Sequence, residues 1–341
     1  MNGVIIVDKP AGWTSHDVVN RMRRILRQKS IGHVGTLDPL ATGVLPLVTG
    51  SLTRLAQFYT TSEKTYEGVI RFGFSTNTYD ADGVPTTDPV GTDALVRPAL
   101  TTTLDLEILQ RLATKFLGLI EQVPPPFSAK KINGVPAYKL ARKQQEVVLK
   151  PVQVEIKEFE ILAIDSDRAT FRARVASGTY MRSVAHEMGQ LLGCGAHLES
   201  LRRTSVAEFD IAQAHTLAEI EEQLIKGKVE RGSEQQMEGQ TKGCHSDRSR
   251  SGSDGAVEEP AVSRNQAITD LFIHPRQLLP QFPSVTADDL TADRIRHGRP
   301  INLPELSRAR QVKVFSGQRD LLAIATRVAG TLFHPKIVFP D

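Results

Sequence analysis

The chain is expected to fold as an α+β protein with a small β-rich unit at its C-terminal end, and three observations in the sequence point there. Segments of strand-like character recur well apart from one another: the apolar run Val4 to Val7, the alternating stretch Tyr66 to Phe72, and the pair Val147 to Ile164 and Ala169 to Val175. Between them lie stretches with apolar residues at helical spacing, around Val18, Met22 and Ile25, around Leu106, Leu109, Ala113, Phe116 and Leu117, and through Val184, Met188 and Leu191. From Pro283 onward only short strand-like runs remain, punctuated by Gly298, Gly317 and Gly330.

Composition narrows the function little. With 341 residues the chain has room for two domains, or for one large domain with an appendage. The 42 basic and 39 acidic residues leave a net charge of +3, so any nucleic-acid contact must come from local clustering. The two cysteines, Cys194 and Cys244, form no CxxC pair and have no metal-like Cys/His spacing, which argues against a disulfide framework or a zinc site and for the cytosol. The N-terminus lacks a basic leader and a long apolar run, and nothing later approaches a membrane span.

Taken in order, Val4 to Val7 reads as a buried strand running into the turn Asp8-Lys9-Pro10. Lys9 at its mouth is either a solvated lysine or a support for a nearby site. Ser15 is placed to cap a helix over residues 17–27, whose outer face carries Arg21, Arg23, Arg24, Arg27 and Lys29, a solvated face or a landing strip for phosphates. Then comes Ile31-Gly32-His33-Val34-Gly35-Thr36-Leu37-Asp38-Pro39-Leu40-Ala41-Thr42-Gly43-Val44-Leu45-Pro46, in which Asp38 is the only carboxylate. Gly32, Gly35 and Gly43 permit positive φ, and Pro39 biases Asp38 toward extended geometry, so a loop displays the carboxylate. Spacing alone also fits an ordinary Asp-Pro turn.

Further on, Tyr66 to Phe72 alternates and Asp80-Ala81-Asp82-Gly83 has the chemistry of a turn closing a hairpin arm. Residues 104–119 read as one packing helix. Pro124-Pro125-Pro126 reads as a stiff linker, a ligand for an aromatic groove, or part of a structured loop continuing through Phe127 and Lys130. The strands over 147–164 and 169–175 lead into Ser177-Gly178-Thr179-Tyr180-Met181-Arg182-Ser183 and a helix ending near Gly193. From about Ile225 to Gln266 mixed charges dominate and aromatics vanish, so this stretch is expected to be a disordered insertion, with Cys244-His245 a poor metal candidate for want of partners.

Several of these strings together resemble the bacterial tRNA pseudouridine synthases that convert uridine 55 in the T-loop. The Asp38 loop follows GHxGxLDPxAxGxLP. Lys64 to Tyr66 and Thr76 to Gly83 follow a KxY and a TxTxDxxG run, residues 122–138 follow QxPPxFSAxKxxGxxxY, and Gly178 to Arg203 follows GTYxRxLxxDLGxxLGxxAHxxxLRR. The last match departs at Ala185-His186-Glu187, where an acidic residue often precedes the Met188-Gly189 position. The resemblance implies an α+β catalytic domain over 1–280 with a mixed, largely antiparallel sheet flanked by helices, and a PUA-like RNA-binding unit over 283–341.

By position, the resemblance makes Asp38 the nucleophile, pairs Arg182 with it, and gives Tyr66 a share in the proton chemistry. It places His33 on the RNA surface beside the flipped base, Tyr180 beneath the base, Leu201 in contact with it, and Lys9 in support. Moving the uracil from N1 to C5 involves no net redox change and needs no cofactor; a covalently bound carboxylate suits it, and the target base must leave its stack. The implied partner is the T-arm of tRNA, with no membrane, no obligatory protein partner and a monomeric enzyme. Two other readings remain: a guide-RNA-dependent synthase of the archaeal or eukaryotic type, and a non-catalytic chaperone that folds the T-arm.

Overall fold

The computed structural model describes residues 2–86, 104–225 apart from Ala129, Asn133, Gln144 and Glu146, and 271–340. The expected insertion therefore lies, beyond Ile225, outside the described residues. The first strands in chain order are β1 (Gly3–Lys9), β2 (Ile31–His33), β3 (Thr42–Thr49) and β4 (Lys64–Phe72), then the short pair β5 (Ser75–Thr76) and β6 (Pro85–Thr86). There follow β7 (Gly118–Gln122), the small hairpin β8 (Lys131–Ile132) and β9 (Val135–Pro136), then β10 (Val152–Asp165), β11 (Arg168–Val175), β12 (Ala196–Val206), β13 (Phe209–Asp210) and β14 (Phe272–Ile273). The C-terminal strands are β15 (Ser284–Ala287), β16 (Ile301–Asn302), β17 (Gln311–Ser316), β18 (Asp320–Ala329) and β19 (Leu332–Val338). The helices are α1 (Ser15–Ile25), α2 (Leu106–Ala113), α3 (Ala137–Ala141), α4 (Met181–Leu191) and α5 (Asp289–Arg296), with a further helical stretch over residues 217–225.

One sheet runs in the order β14-β1-β3-β12-β4-β11-β10-β7, with β2 on β3 and β13 on β12. Its pairings are antiparallel except for β3 with β12, where Thr42 and Gly43 run beside Arg202 and Arg203. The expected mixed, largely antiparallel sheet is what forms. That single parallel contact brings the end of the Asp38 loop onto the strand carrying the Leu201-Arg202-Arg203 triplet, which joins two motifs far apart in sequence. Gly43 is required there: φ is +95°, and a Cβ would stand 2.2 Å from the Arg203 carbonyl oxygen.

The sheet's inner face packs on α1, α2 and α4 through Ile5, Val7, Val18, Met22, Leu47, Ile70, Phe72, Phe171, Val184 and Met188, all at most 2% exposed. Each such side chain contributes about 1.5–3 kcal/mol on burial. The second sheet, β15-β17-β18-β19-β16, has its own core with α5 around Ala292, Ile295, Val312, Ala323 and Phe333. The two sheets also share a core. Val4, Ile6, Val44 and Val48 pack in one cluster with Phe315, Leu321, Ile324, Ile337 and Phe339.

Two local expectations need correction. Thr14, not Ser15, caps α1, through a reciprocal pair with Asp17, because Ser15 already sits in the first turn with its hydroxyl turned inward. The stretch expected as one helix over residues 104–119 is helical only to Ala113, tightens into a 3-10 turn, and becomes edge strand β7 after Gly118 at φ +84°. Apolar spacing continues through Phe116 and Leu117, but Phe116 is buried by the turn and Leu117 follows it exposed. On the basic face of α1, Arg23 folds back onto the Ile31 carbonyl and Asn20, and Arg21 pairs with Glu221 at 2.5 Å, while Arg24, Arg27 and Lys29 are exposed.

Candidate active site

Asp38 stands on an irregular segment between β2 and β3, held from below. The Ser15 hydroxyl accepts from the Leu37 amide at 2.9 Å and donates to its carbonyl at 3.2 Å. Lys9, fully buried, donates to the carbonyls of Pro39 at 3.1 Å, Trp13 at 2.6 Å and Pro10 at 2.9 Å. Its ammonium is engaged beneath the loop, so the structure places Lys9 as a support and not on the substrate surface. The Gly12 amide also donates to the Pro39 carbonyl. With its backbone pinned at Leu37 and Pro39, the loop presents an Asp38 carboxylate that is 38% exposed.

Arg182 reaches Asp38 from the first turn of α4. Tyr180 caps that helix, and the buried Gln122 at the end of β7 clasps it on both sides: Gln122 Oε1 accepts from the Tyr180 amide at 2.8 Å and Nε2 donates to its carbonyl at 3.2 Å. The Arg182 side chain is 5% exposed, with Nε 2.9 Å from Asp38 Oδ2. Nη1 donates to the Thr78 carbonyl at 3.2 Å and lies 3.3 Å from Asp80 Oδ2, while Nη2 donates to the Phe127 carbonyl at 3.1 Å. The guanidinium thus does not meet Asp38 with a two-pronged fork. It offers one edge to Asp38 and spends the rest on Asp80 and two carbonyls, an arrangement that fixes it before any substrate arrives.

Asp80, read from sequence as part of a turn, does form that turn, with its carbonyl accepting from Gly83, but its carboxyl is buried against Arg182. Thr78 Oγ1 donates to it at 2.5 Å and the Asp82 amide at 3.2 Å. Burial, with Asp82 and Asp38 nearby, pushes its pKa above the usual carboxylate range, while Thr78 and Arg182 pull the other way. In space, then, Asp38 is one of two carboxylates sharing one arginine.

Tyr66 on β4 lies opposite Arg203 on β12 and is buried. Burial raises its pKa, Asp38 raises it further, and Arg203 opposes both. Tyr180 is likewise raised by burial and then by Asp38. Both phenols therefore stay protonated near neutral pH and feel the same carboxylate. Leu201 is buried on β12 across from Gly68. His33 is half-buried on β2; its charged neighbours are Arg203 and His16, and burial followed by these two lowers its pKa, keeping the imidazole neutral.

Arg203 is a residue that sequence reading passed over. It is fully buried, donating from Nε to the Val44 carbonyl at 2.8 Å and from Nη2 to the Gly35 carbonyl at 3.0 Å, so it ties β12 to both flanks of the Asp38 loop. Asp80, Gln122 and Ser15 were also not singled out as site residues, though the first two sit inside the motif strings. Among the described residues no cluster of three or more His, Cys, Asp or Glu is arranged to hold a metal ion.

The site thus brings a loop carboxylate onto a buried arginine, with one protonated phenol from the sheet and one from the start of α4 under the influence of that carboxylate. The chain belongs to the TruB family of pseudouridylate synthases: the family's N-terminal domain model matches residues 23–181 and the tRNA pseudouridylate synthase B C-terminal domain model matches 182–238. The tRNA pseudouridine synthase B of Solibacter usitatus is 42% identical over 341 residues, covering 99% of this chain and 100% of the relative. That of Bacillus cytotoxicus is 34% identical over 343 residues, covering 98% and 94%. Among solved structures, a Cbf5-Nop10-Gar1 complex matches with TM-score 0.65 at 22% identity, over 99% of this chain and 85% of that one, which is a likeness of fold.

Proposed function

We propose that this enzyme converts uridine 55 in the T-loop of tRNA to pseudouridine, acting in the cytoplasm as a monomer on the T-arm without a protein partner or guide RNA. The observation that carries the reading is the Asp38–Arg182 contact at 2.9 Å, with Tyr66 and Tyr180 both raised in pKa by burial and by Asp38. Relatives matched over 94% and 100% of their length, each named a tRNA pseudouridine synthase B, support the substrate.

In this reading the uridine leaves its stack and enters beside Asp38, with Tyr180 beneath the base, Leu201 against it, and His33 taking part of the vacated stacking contact. Asp38 attacks the sugar at C1′ or the base, and both routes free uracil from the C1′–N1 bond. The ring turns, C1′–C5 forms, the proton on C5 departs and N1 acquires one. Arg182, in contact with Asp38, fixes where the attacking carboxylate stands. Tyr66 takes part in the C5 proton transfer, where the Arg203 cation stabilises a phenolate while it lasts.

Incubating the protein with a bare tRNA transcript carrying tritium at C5 of its uridines tests this. Release of one tritium per tRNA, lost when uridine 55 is changed to cytidine, is the expected result. Release that requires a guide RNA and partner proteins would favour the guide-dependent reading. T-arm refolding without release would favour the chaperone.

A further inference from the structure

Arg182 is held by two acceptors on one short turn, the Thr78 carbonyl and the Asp80 carboxyl, and both meet the same nitrogen, Nη1. Between them in sequence stands Tyr79, which has φ +65°, a backbone conformation that a bulky residue rarely adopts. Its backbone is tied on two sides, the amide donating to the Thr76 carbonyl at 3.2 Å and the carbonyl accepting from Leu198 at 3.0 Å. Its ring lies flat on the imidazole of His186, with centroids 3.8 Å apart and planes 7° from parallel. His186 stands four positions after Arg182 on α4, one turn further along the same face. The stack therefore closes a ring of contacts: from α4 through Arg182 to Thr78 and Asp80, along the chain to Tyr79, and across the two rings back to α4.

We propose that Tyr79 and His186 form a positioning pair that clamps the Thr78–Asp80 turn onto α4 and so fixes where the Arg182 guanidinium stands relative to Asp38. The pair acts on the site through Arg182. The bare chemistry of the site is met without it, since Arg182 and both carboxylates are present whatever residues occupy positions 79 and 186. What the stack supplies is rigidity in a turn whose central residue is otherwise in an unfavourable conformation. The inference rests on assigning the chemistry to Asp38 and Arg182, and it separates from that assignment by experiment.

Two readouts test it on the full chain. The first is the Arg182 side-chain Nε–Hε resonance in nitrogen-15 NMR, identified by its loss in Arg182→Lys. It should persist in the parent, in Tyr79→Phe and in His186→Phe, which keep two flat rings, and broaden or exchange in Tyr79→Ala and His186→Ala. The second is single-turnover tritium release from uridine-labelled tRNA, beside tRNA affinity from filter binding. The alanine variants should slow turnover by roughly 10–10²-fold, as a small misplacement of a catalytic group does, with affinity within about threefold of the parent. The double alanine variant should be no slower than the worse single one, because either substitution opens the same ring of contacts. Tyr79→Gly relieves the backbone and removes the ring; it should behave like Tyr79→Ala, and recovery of the parent rate in it would overturn the stack as the operative contact. If His186→Ala does not fold, His186→Gln, which removes the ring at similar volume, takes its place. Variants with parent-like turnover and an unmoved Arg182 resonance overturn the proposal. A parent inactive on tRNA, with the resonance still moved by His186→Ala, would leave the clamp standing and remove only the reaction.

Discussion

Arg182 and Arg203 are both buried guanidinium groups at the same site, and they do opposite work. Arg182 lies between two carboxylates, the partly exposed Asp38 and the buried Asp80, so its charge is matched and held against Asp38. Arg203 has no carboxylate within ion-pair distance among the described residues; its bonds go to the Val44 and Gly35 carbonyls, and its excess charge spreads to its neighbours. It lowers the pKa of His33 and Lys64 and opposes the rise at Tyr66. A buried cation paired with acids is a positioned reactant group. One paired with carbonyls ties chain segments together and supplies positive potential to a pocket that must receive a polyanion.

The comparison breaks first at Asp38. Asp38→Asn removes the proposed nucleophile and keeps its shape, and tritium release should fall by roughly four orders of magnitude or more, as loss of a catalytic-unit member does. tRNA affinity should stay within about tenfold, or about 1.4 kcal/mol. Turnover retained in this variant would remove Asp38 from the reaction.

Next comes Arg182. Arg182→Met leaves Asp38 and Asp80 facing each other without a cation, and turnover should fall by about 10²–10³-fold. Arg182→Lys should fall less, since an ammonium can reach Asp38 but cannot also hold Asp80 and the carbonyls of Thr78 and Phe127. Added to Asp38→Asn, Arg182→Met should cost little further activity. A lysine variant as fast as the parent would show that the arginine's several contacts are dispensable.

Arg203→Met should divide from Arg182→Met in kind. The buried Val44 carbonyl and the part-buried Gly35 carbonyl lose their donor, which costs about 1–3 kcal/mol, most of it at Val44, read as a lower urea midpoint. Arg182→Met should lose more turnover and less stability. If both substitutions destabilise equally and slow the reaction equally, the division of labour between the two arginines is wrong.

Much of this arrangement is legible in the sequence, and the illegible part has a common cause. Asp38 could be read because a run of glycine and proline around a single acid leaves a loop as the natural conformation, and the long motif gave the loop its role. The pairing with Arg182 needed the resemblance, since nothing local links residues more than a hundred positions apart. Asp80 escaped because an Asp-Ala-Asp-Gly turn looks the same whether its first carboxyl faces water or a buried arginine. Gln122 escaped because a polar residue at the end of an edge strand is normally solvated, and only the tertiary fold turns it to clasp Tyr180. Lys9 was placed at the site, but its side chain turned under the loop, where three carbonyls waited. α2 ended early because the apolar spacing runs on past Ala113 through Phe116, which the following turn buries, and Leu117, which is left exposed. In each case the sequence carries the residue type, and the partner decides its use.

The smallest expected effect is at Lys64, and it sharpens the view of Arg203 as an uncompensated charge. Lys64 donates to the Ser62 carbonyl at 2.6 Å, and burial first, then Arg203, push its pKa down from 10.5 to about 8. Between those two values the unfolded chain holds a proton that the folded protein has released, so the unfolded state binds more protons and stability rises with pH across the window. Below about pH 8 both states are protonated, and the folded state bears the full cost of the buried charge. Lys9 is lowered to about 8 as well, so the parent's slope contains two such groups and the informative quantity is a difference of slopes. Lys64→Met should make Tm less dependent on pH between 8 and 10 than in the parent. Because Lys64 keeps some contact with solvent, the change across the window should be about 2–4 °C or less. Arg203→Met should flatten the same curve from the other side, since without the neighbouring cation Lys64 returns toward its ordinary value. Parallel Tm curves for parent, Lys64→Met and Arg203→Met would mean that Arg203 leaves no excess charge in the pocket, and its role would then reduce to holding two carbonyls.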